Sequence, residues 1–127
     1  HIQIWYYLTS GVENIVFLKN DRVIGQIKSG SQEKMWQIAK RWIAYARKHP
    51  EYQANIEEYI SDITHRKLRV GMTREEICLA WGNPLNITYL PPQYALKEEW
   101  VYEETPYQKT ILTFEKNCLT GWRTKSP

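Results

Sequence analysis

The chain has 127 residues, of which 43% are hydrophobic and 13% aromatic, and its formal net charge is +3 at pH 7. This length is typical of one ordinary domain, and so large an apolar and aromatic share excludes a disordered chain. The charge excess is too small to indicate a dedicated nucleic-acid-binding protein, and no apolar run approaches the roughly 18 residues that a membrane-spanning helix needs.

The first thirty residues predict three antiparallel strands. Residues 2–8, 14–18 and 22–28 are rich in β-branched and aromatic side chains, and the turn-forming pairs Ser10-Gly11 and Asn20-Asp21 separate them. The spacing therefore predicts a three-stranded meander at the start of the chain.

A helical period replaces this pattern after residue 30. Apolar residues recur at helical spacing from Met35 to Ala46, Ser31 is the expected N-cap, and the helix is expected to end near His49-Pro50. A second helix is predicted directly after it, with one apolar face formed by Tyr52, Ile56, Tyr59, Ile60 and Ile63.

The segment after residue 69 carries the clearest helix signals. Thr73 with Glu76 three positions later predicts a capping box, and Gly82 with Pro84 predicts the end of the helix. The predicted helix has about two and a half turns. Four β-rich segments follow, at residues 86–90, 99–102, 110–114 and 119–123, and they predict a second antiparallel meander.

The two meanders resemble each other in sequence. Trp5-Tyr6-Tyr7 aligns with Trp100-Val101-Tyr102, and residues 15–20 align with 112–117. Val23-Ile24-Gly25 aligns with Leu119-Thr120-Gly121 if one residue is lost in the turn. This similarity predicts an internal repeat whose first copy has lost residues before the chain starts, although two aromatic-rich meanders also resemble each other by composition alone.

Several motifs occur in order between residues 70 and 124. They are Gly71-Met72-Thr73 before an acidic helix start, Trp81-Gly82-Asn83-Pro84, a strand with Trp100 and Tyr102, and a strand with Phe114. In this order they resemble the SmpA/OmlA (BamE) family, which is related in fold to the β-lactamase-inhibitor proteins. The resemblance implies an α+β fold of antiparallel meander sheets with helices packed on one face. It also implies a bacterial cell-envelope protein that binds other proteins and is not an enzyme.

The resemblance also predicts how the chain is organised. We expect the strand half of a first repeat unit at residues 1–30, a helical hairpin at 31–69 and a complete SmpA/OmlA-like unit at 70–127, together forming one compact domain. No lipid-attachment cysteine lies near the start, so membrane attachment is expected only through an anchor outside this chain. The motif residues expected to serve the backbone and core are Gly71, Met72, Thr73, Glu76, Gly82, Pro84, Trp100 and Tyr102.

Signals of catalysis and of metal or cofactor binding are weak. Residues 31–34 fit the S-x-x-K pattern of penicillin-recognising enzymes, but the S-D-N and K-T-G motifs that accompany it are missing. The three histidines lack metal-site spacing, and Cys78 and Cys118 fit either one disulfide or two unrelated thiols. The carboxylate pairs Glu98-Glu99 and Glu103-Glu104 are expected on a strand, where one of each pair faces solvent. We therefore expect no catalytic residues, no metal and no cofactor.

Two features are candidate binding surfaces. The strand and loop aromatics are too many for one thin core unless the helical hairpin covers them, and the candidate protein-binding residues are Tyr89, Tyr94, Tyr107 and Trp122. The basic segment 65–69, with the basic first helix, is an alternative site for nucleic acid or an anionic surface.

These observations predict a non-enzymatic scaffold or adaptor in the bacterial cell envelope, in the periplasm or at the outer membrane. An inhibitor-like module that grips an enzyme is the second reading. The sheet edge left by the incomplete first repeat also predicts a homodimer formed by strand pairing.

Overall fold

The computed structural model describes residues 2–29, 35–90 and 97–126. Within these residues the elements are, in chain order, β1 (Ile2–Thr9), β2 (Val12–Lys19), β3 (Arg22–Ser29), α1 (Met35–Arg47), α2 (Pro50–Ala54), α3 (Ile56–Thr64), α4 (Arg74–Trp81), β4 (Asn86–Tyr89), β5 (Lys97–Thr105), β6 (Gln108–Glu115) and β7 (Cys118–Lys125). Two antiparallel sheets and a set of helices make an α+β fold, so the predicted fold class is confirmed.

The chain divides into two compact units. Unit 1 comprises His1–Lys67 with Glu75–Gly82, and unit 2 comprises Leu68–Arg74 with Asn83–Pro127. Residues 75–82 thus group with the first meander, whereas the sequence-based organisation assigns them to a unit at 70–127. That organisation follows repeat copies and not spatial contacts, and it stays a prediction.

Unit 1 contains the first sheet, with strand order β1-β2-β3, and helices on one of its faces. Phe17 of β2 meets Trp42 of α1 edge to face at 6.1 Å between ring centroids, and Tyr6 of β1 lies 5.4 Å from Trp36. Phe17 and Trp42 are fully buried, as is Ile60 of α3. Large apolar side chains of the sheet and the helices therefore form the core of this unit.

Gly25 allows α3 to approach β3 very closely. A Cβ atom at residue 25 would lie 2.7 Å from the Cγ2 atom of Ile60 and 2.8 Å from the Cγ2 atom of Thr64. Real side chains do not pack at such distances, so any larger residue at this position would push the helix away from the strand.

The prediction of one continuous second helix in the hairpin is wrong, because the structure has two helices, α2 and α3, in its place. Asn55, with φ −124° and ψ 24°, separates α2 from α3, and its amide donates to the Tyr52 carbonyl. Asparagine competes well for backbone hydrogen bonds outside helices, which accounts for the break. The predicted N-cap Ser31 lies outside the described residues.

The predicted short helix is confirmed as α4. It begins directly after Thr73 and ends at Trp81, and the amide of Gly82 donates to the Cys78 carbonyl at 2.8 Å. Gly82 has a φ of +77°, a left-handed conformation in which glycine ends helices without steric cost.

Unit 2 contains the second sheet, with strand order β4-β5-β6-β7. The Gly71-Met72-Thr73 segment is joined to β7 by two backbone hydrogen bonds of 2.8 Å, from Gly71 to the Leu119 carbonyl and from Leu119 to the Met72 carbonyl. Gly71 has a φ of +98°, and Met72 is buried. The motif thus fastens its segment to the last strand of the sheet.

The two meanders share turn length and register. Both middle hairpins close with two residues of positive φ, Asn20-Asp21 and Lys116-Asn117. Both then shift register next to a glycine, after the pair Phe17 and Gly25 in one meander and after Thr113 and Gly121 in the other. The backbone plan is therefore repeated.

This plan corrects the middle part of the sequence alignment by one residue. Phe17 is equivalent to Thr113 and not to Phe114, and no residue is lost in the turn. The extra residue is Glu104, which lies at a register shift in β5. The first strand is aligned correctly, since Trp5 pairs with Val16 and Trp100 pairs with Leu112.

Several further features of the described residues bear on function. No helix among them is long and apolar enough to cross a membrane. They hold no group of three His, Cys, Asp or Glu side chains suited to a metal ion. Cys78 and Cys118 are not joined by a disulfide.

Candidate protein-binding surface

One face of the first sheet presents large side chains to solvent. Strand pairing and alternation place Trp5 and Tyr7 of β1 with Val16 and Leu18 of β2, and Val23 of β3 pairs with Leu18. We call these five residues the aromatic face. Phe17 and Gly25, which meet the helices, lie on the opposite face of the same sheet.

Exposure is concentrated at the outer strands of the aromatic face. Trp5 is 59% exposed and Tyr7 and Val23 are also exposed, whereas Val16 and Leu18 between them are buried. Apolar side chains thus continue across three adjacent strands. Exposed apolar and aromatic side chains on either side of such a buried apolar strip mark interaction sites more often than scattered apolar residues do.

A hydrogen-bond network fixes the tyrosine at one end of the aromatic face. The Gln26 side-chain amide donates to the Tyr7 hydroxyl and to the Asn14 Oδ1 atom, each at 3.2 Å. The buried Asn14 amide in turn donates to the Thr9 hydroxyl at 3.2 Å and to the Val12 carbonyl at 3.1 Å. The network spans all three strands, so the Tyr7 ring is held before any partner arrives.

The three sequence-predicted binding residues that the structure describes are spread over unit 2. Tyr89, Tyr107 and Trp122 are exposed, on β4, in the turn between β5 and β6, and on β7. Tyr89 pairs with Glu98 near one end of β5, whereas Tyr107 follows the other end. At roughly 3.3 Å per residue, the strand between them spans about 20 Å. Tyr94 lies outside the described residues, and a binding role for these four residues stays a prediction.

Sequence reasoning did not select Trp5, Tyr7 or Val23. The β1 sequence has large apolar or aromatic side chains at nearly every position, so alternation did not show which face is solvent-exposed. The polar residues of β3 could have identified the solvent-exposed face, because Gln26 and Lys28 pair with Val16 and Asn14 and lie on the same face as they do.

Two buried carboxylates serve the packing of their units. In unit 2, Glu98 lies 2.6 Å from the Arg74 Nε atom and accepts a hydrogen bond of 3.0 Å from the Trp100 indole. In unit 1, Glu76 accepts a hydrogen bond of 2.7 Å from the Tyr52 hydroxyl. Burial raises the pKa of Tyr52 well above its ordinary value, and the hydrogen bond to Glu76 is the second largest cause of this rise.

Two basic side chains of the alternative anionic-ligand site already make contacts within the folded chain. The Arg66 guanidinium lies 4.6 Å from the centre of the Trp81 ring, and the Trp81 indole donates to the Arg66 carbonyl at 3.1 Å. On α1, Arg47 donates to the Ile2 carbonyl at 2.7 Å. These contacts reduce the freedom of both side chains to bind phosphate groups.

Unit 1 also has a small cleft of about 280 Å³. Its apolar wall includes Ile43 and Ile56, and Lys19 and Arg47 line it as well. Lys19 is paired with Glu57 at 3.0 Å, and small-molecule sites usually have about 300 to 1,000 Å³. The cleft is therefore a weaker candidate site than the aromatic face.

No protein-family model and no curated protein matches this sequence. Among solved structures, the chain aligns with a candidate β-lactamase inhibitor protein from Streptococcus mutans, with a TM-score of 0.40 and 14% sequence identity. The alignment covers 98% of this chain and 67% of that chain. The resemblance to SmpA/OmlA proteins accordingly stays a prediction.

Proposed function

We propose that this chain is a non-catalytic protein-binding module and that the aromatic face contacts its partner. The observation that carries the proposal is the exposure of Trp5. A tryptophan that is 59% exposed in the middle of a regular strand leaves a large apolar surface in water. Tryptophan and tyrosine are also the side chains most enriched among residues that dominate protein-binding energy.

The surroundings of Trp5 suit a binding site. Its backbone belongs to a regular strand, and the buried side chains of Val16 and Leu18 lie beside it on the same face. The hydrogen bond from Gln26 fixes the position of Tyr7. A rigid surface loses little conformational entropy on binding, so more of the contact energy appears as affinity.

The setting and partner class that we propose follow from the motif resemblance. The partner is another protein of the bacterial cell envelope, for which the chain acts as a scaffold or adaptor in the periplasm or at the outer membrane. The inhibitor-like reading differs only in the partner, which would be an enzyme gripped by the same face. A second copy of this chain is a further partner that strand pairing favours.

The test is capture from a bacterial envelope extract on the immobilised chain, with washes at low and then moderate salt. We expect a protein partner to remain through the moderate-salt wash, because apolar contacts are insensitive to ionic screening. Trp5→Ala should abolish this retention, since truncation of such a residue costs about 2 kcal/mol or more.

Trp122→Ala is the matched control, because it removes an exposed tryptophan from β7 of unit 2. We expect this variant to retain the partner. Loss of binding in Trp122→Ala but not in Trp5→Ala would assign the site to the sequence-predicted residues instead. Recovery of only nucleic acid or anionic lipid, lost at moderate salt, would overturn the proposal in favour of the basic alternative.

A further inference from the structure

A backbone carbonyl fixes the direction of the hydrogen bonds around Tyr7. The Val12 carbonyl can only accept, so the Asn14 atom that lies 3.1 Å from it is the amide Nδ2 atom. The Asn14 Oδ1 atom therefore faces Gln26, whose Nε2 atom donates to it at 3.2 Å. The second hydrogen of this Nε2 atom is donated to the Tyr7 hydroxyl oxygen, also at 3.2 Å. The Tyr7 oxygen is thus an acceptor in this network.

The Tyr7 hydroxyl consequently presents its own hydrogen to solvent. A phenol oxygen that accepts from an amide still has one hydrogen to donate, and Tyr7 is 48% exposed. No acceptor for this hydrogen lies among the described residues. A partner that covers Tyr7 must supply one, because a buried donor without an acceptor costs the desolvation energy of that group.

Two further donors lie on the same side of the first sheet. The indole N–H of the exposed Trp5 has no acceptor among the described residues. The exposed Lys28 pairs with Asn14, which in turn pairs with Tyr7, so these three residues form one row across the strands. Tyr7, Trp5 and Lys28 therefore offer hydrogens and, in the case of Lys28, a positive charge.

The charge on this side of the sheet is unbalanced. Strand alternation puts Lys28 there as the single charged residue of β1, β2 and β3. The one carboxylate in these strands, that of Glu13, pairs with Leu8 and lies on the opposite side together with Phe17. A ligand of the aromatic face thus meets a positive charge and no negative one from these strands.

Resting on the proposed protein-binding function, we propose that the aromatic face binds an extended acidic segment of its partner, in which a carboxylate lies next to a large apolar side chain. An ionised carboxylate only accepts, so it can take hydrogen bonds from the Tyr7 hydroxyl and the Lys28 ammonium together. The apolar side chain packs on Trp5. The Gln26 Oε1 atom remains to accept a backbone N–H of the same segment.

The spacing of the row suits one carboxylate. Neighbouring strands lie about 4.8 Å apart, so the Cα atoms of Tyr7 and Lys28 are separated by about 10 Å, with the buried Asn14 between them. The Gln26 bond also shows that the Tyr7 hydroxyl is within 3.2 Å of a side chain from β3, the strand of Lys28. Both donors can therefore converge above the middle strand.

Selection of a phage-displayed random peptide library on the immobilised chain tests this proposal. We expect the selected peptides to share an Asp or Glu next to an aromatic or large aliphatic residue, and Trp5→Ala should abolish their binding. In one selected peptide, replacement of the shared acid by its amide should raise the dissociation constant about tenfold, because hydrogen bonds to a charged group are the stronger ones.

Three variants of the chain test the assigned donors with the acid peptide and its amide counterpart. Tyr7→Phe keeps the ring and should weaken the acid peptide about tenfold, and the amide peptide less, because a neutral acceptor makes the weaker bond. Lys28→Gln should weaken the acid peptide up to about fivefold, as exposed ion pairs do. Arg22→Gln is the control: it removes a charge from the same strand, but Arg22 pairs with Lys19 on the opposite side, so affinity should not change. Circular dichroism checks that each variant is folded.

The outcomes separate this proposal from the protein-binding function. Equal affinity for the acid and amide peptides, an equal effect of Tyr7→Phe on both, or a selection that yields no acidic peptides would overturn recognition of a carboxylate. The protein-binding function stands in each case if capture from the envelope extract still requires Trp5. Conversely, capture that Trp5→Ala leaves unchanged would contradict that function even if acidic peptides bind.

Discussion

Trp5 and Trp100 occupy equivalent positions in the two meanders but differ greatly in exposure. Each pairs with the equivalent residue of the middle strand, Val16 or Leu112, yet Trp5 is 59% exposed and Trp100 is 4% exposed. Trp100 packs on Phe114 at 4.6 Å and donates to Glu98. The strand sequence thus repeats a backbone plan, while the surroundings decide whether the same side chain serves the core or remains available to a partner.

The two glycines next to the register shifts show the same contrast. Gly25 and Gly121 are equivalent, but α3 approaches Gly25 closely, whereas a Cβ atom at Gly121 would have no atom of the described residues within 4 Å. The repeated glycine is therefore required for helix packing in only one of the two meanders.

Truncation of the two tryptophans should give the largest difference between the meanders. We expect Trp100→Ala to lower the free energy of unfolding by about 3 to 5 kcal/mol, because it removes a buried ring and leaves a cavity. Trp5→Ala should change it by about 0.5 kcal/mol or less, as is usual for surface positions. Urea unfolding followed by circular dichroism measures both values. Equal losses would mean that Trp5 is also a core residue.

Substitution of the two glycines should give a smaller difference in the free energy of unfolding. Here the first meander should lose stability and the second should gain it. Gly25→Ala is expected to cost about 1 to 3 kcal/mol, since the new methyl group overlaps Ile60 and Thr64. Gly121→Ala should stabilise by about 0.4 to 1 kcal/mol, because alanine restricts the unfolded chain and meets no clash. The same unfolding experiment compares them. A stable Gly25→Ala variant would show that α3 does not depend on this close approach.

The local elements were predictable because their signals lie within a few residues. The turn at Asn20-Asp21 and the end of α4 at Gly82 both depend on residues that tolerate positive φ. The cap signal of Thr73 and the alternation of the strands act over similarly short distances. These features account for the correct fold class and for most element positions.

The remaining features depend on contacts between residues that are distant in sequence. The role of Gly25 becomes visible only when Ile60 lies beside it, and the one-residue alignment error follows from an extra residue in β5, near Glu104. The aromatic face was not predictable either, because β1 is apolar or aromatic on both faces. Which face α1 and α3 cover is decided by packing and not by the strand sequence.

Alkaline pH should produce the smallest effect, and we expect it in unit 1, which contains the buried pair Tyr52 and Glu76. The raised pKa of Tyr52 means that the folded protein retains a phenol proton that the unfolded chain releases above about pH 10. Unfolding then releases a proton, so stability falls as the pH rises. The slope for one proton is about 1.4 kcal/mol per pH unit.

Tyr52→Phe should remove this slope, although it also loses the hydrogen bond to Glu76 and so starts from a lower stability at neutral pH. Tyr107→Phe, which changes an exposed residue in the turn after β5, is the matched control and should retain the slope. Urea unfolding at a series of pH values compares the stability of the two variants. The series runs from neutral pH to about 11, so that it passes the ordinary phenol pKa. If Tyr52→Phe and Tyr107→Phe lose stability in parallel above pH 10, the phenol of Tyr52 does not hold its proton in the folded state, and the alkaline response does not distinguish unit 1.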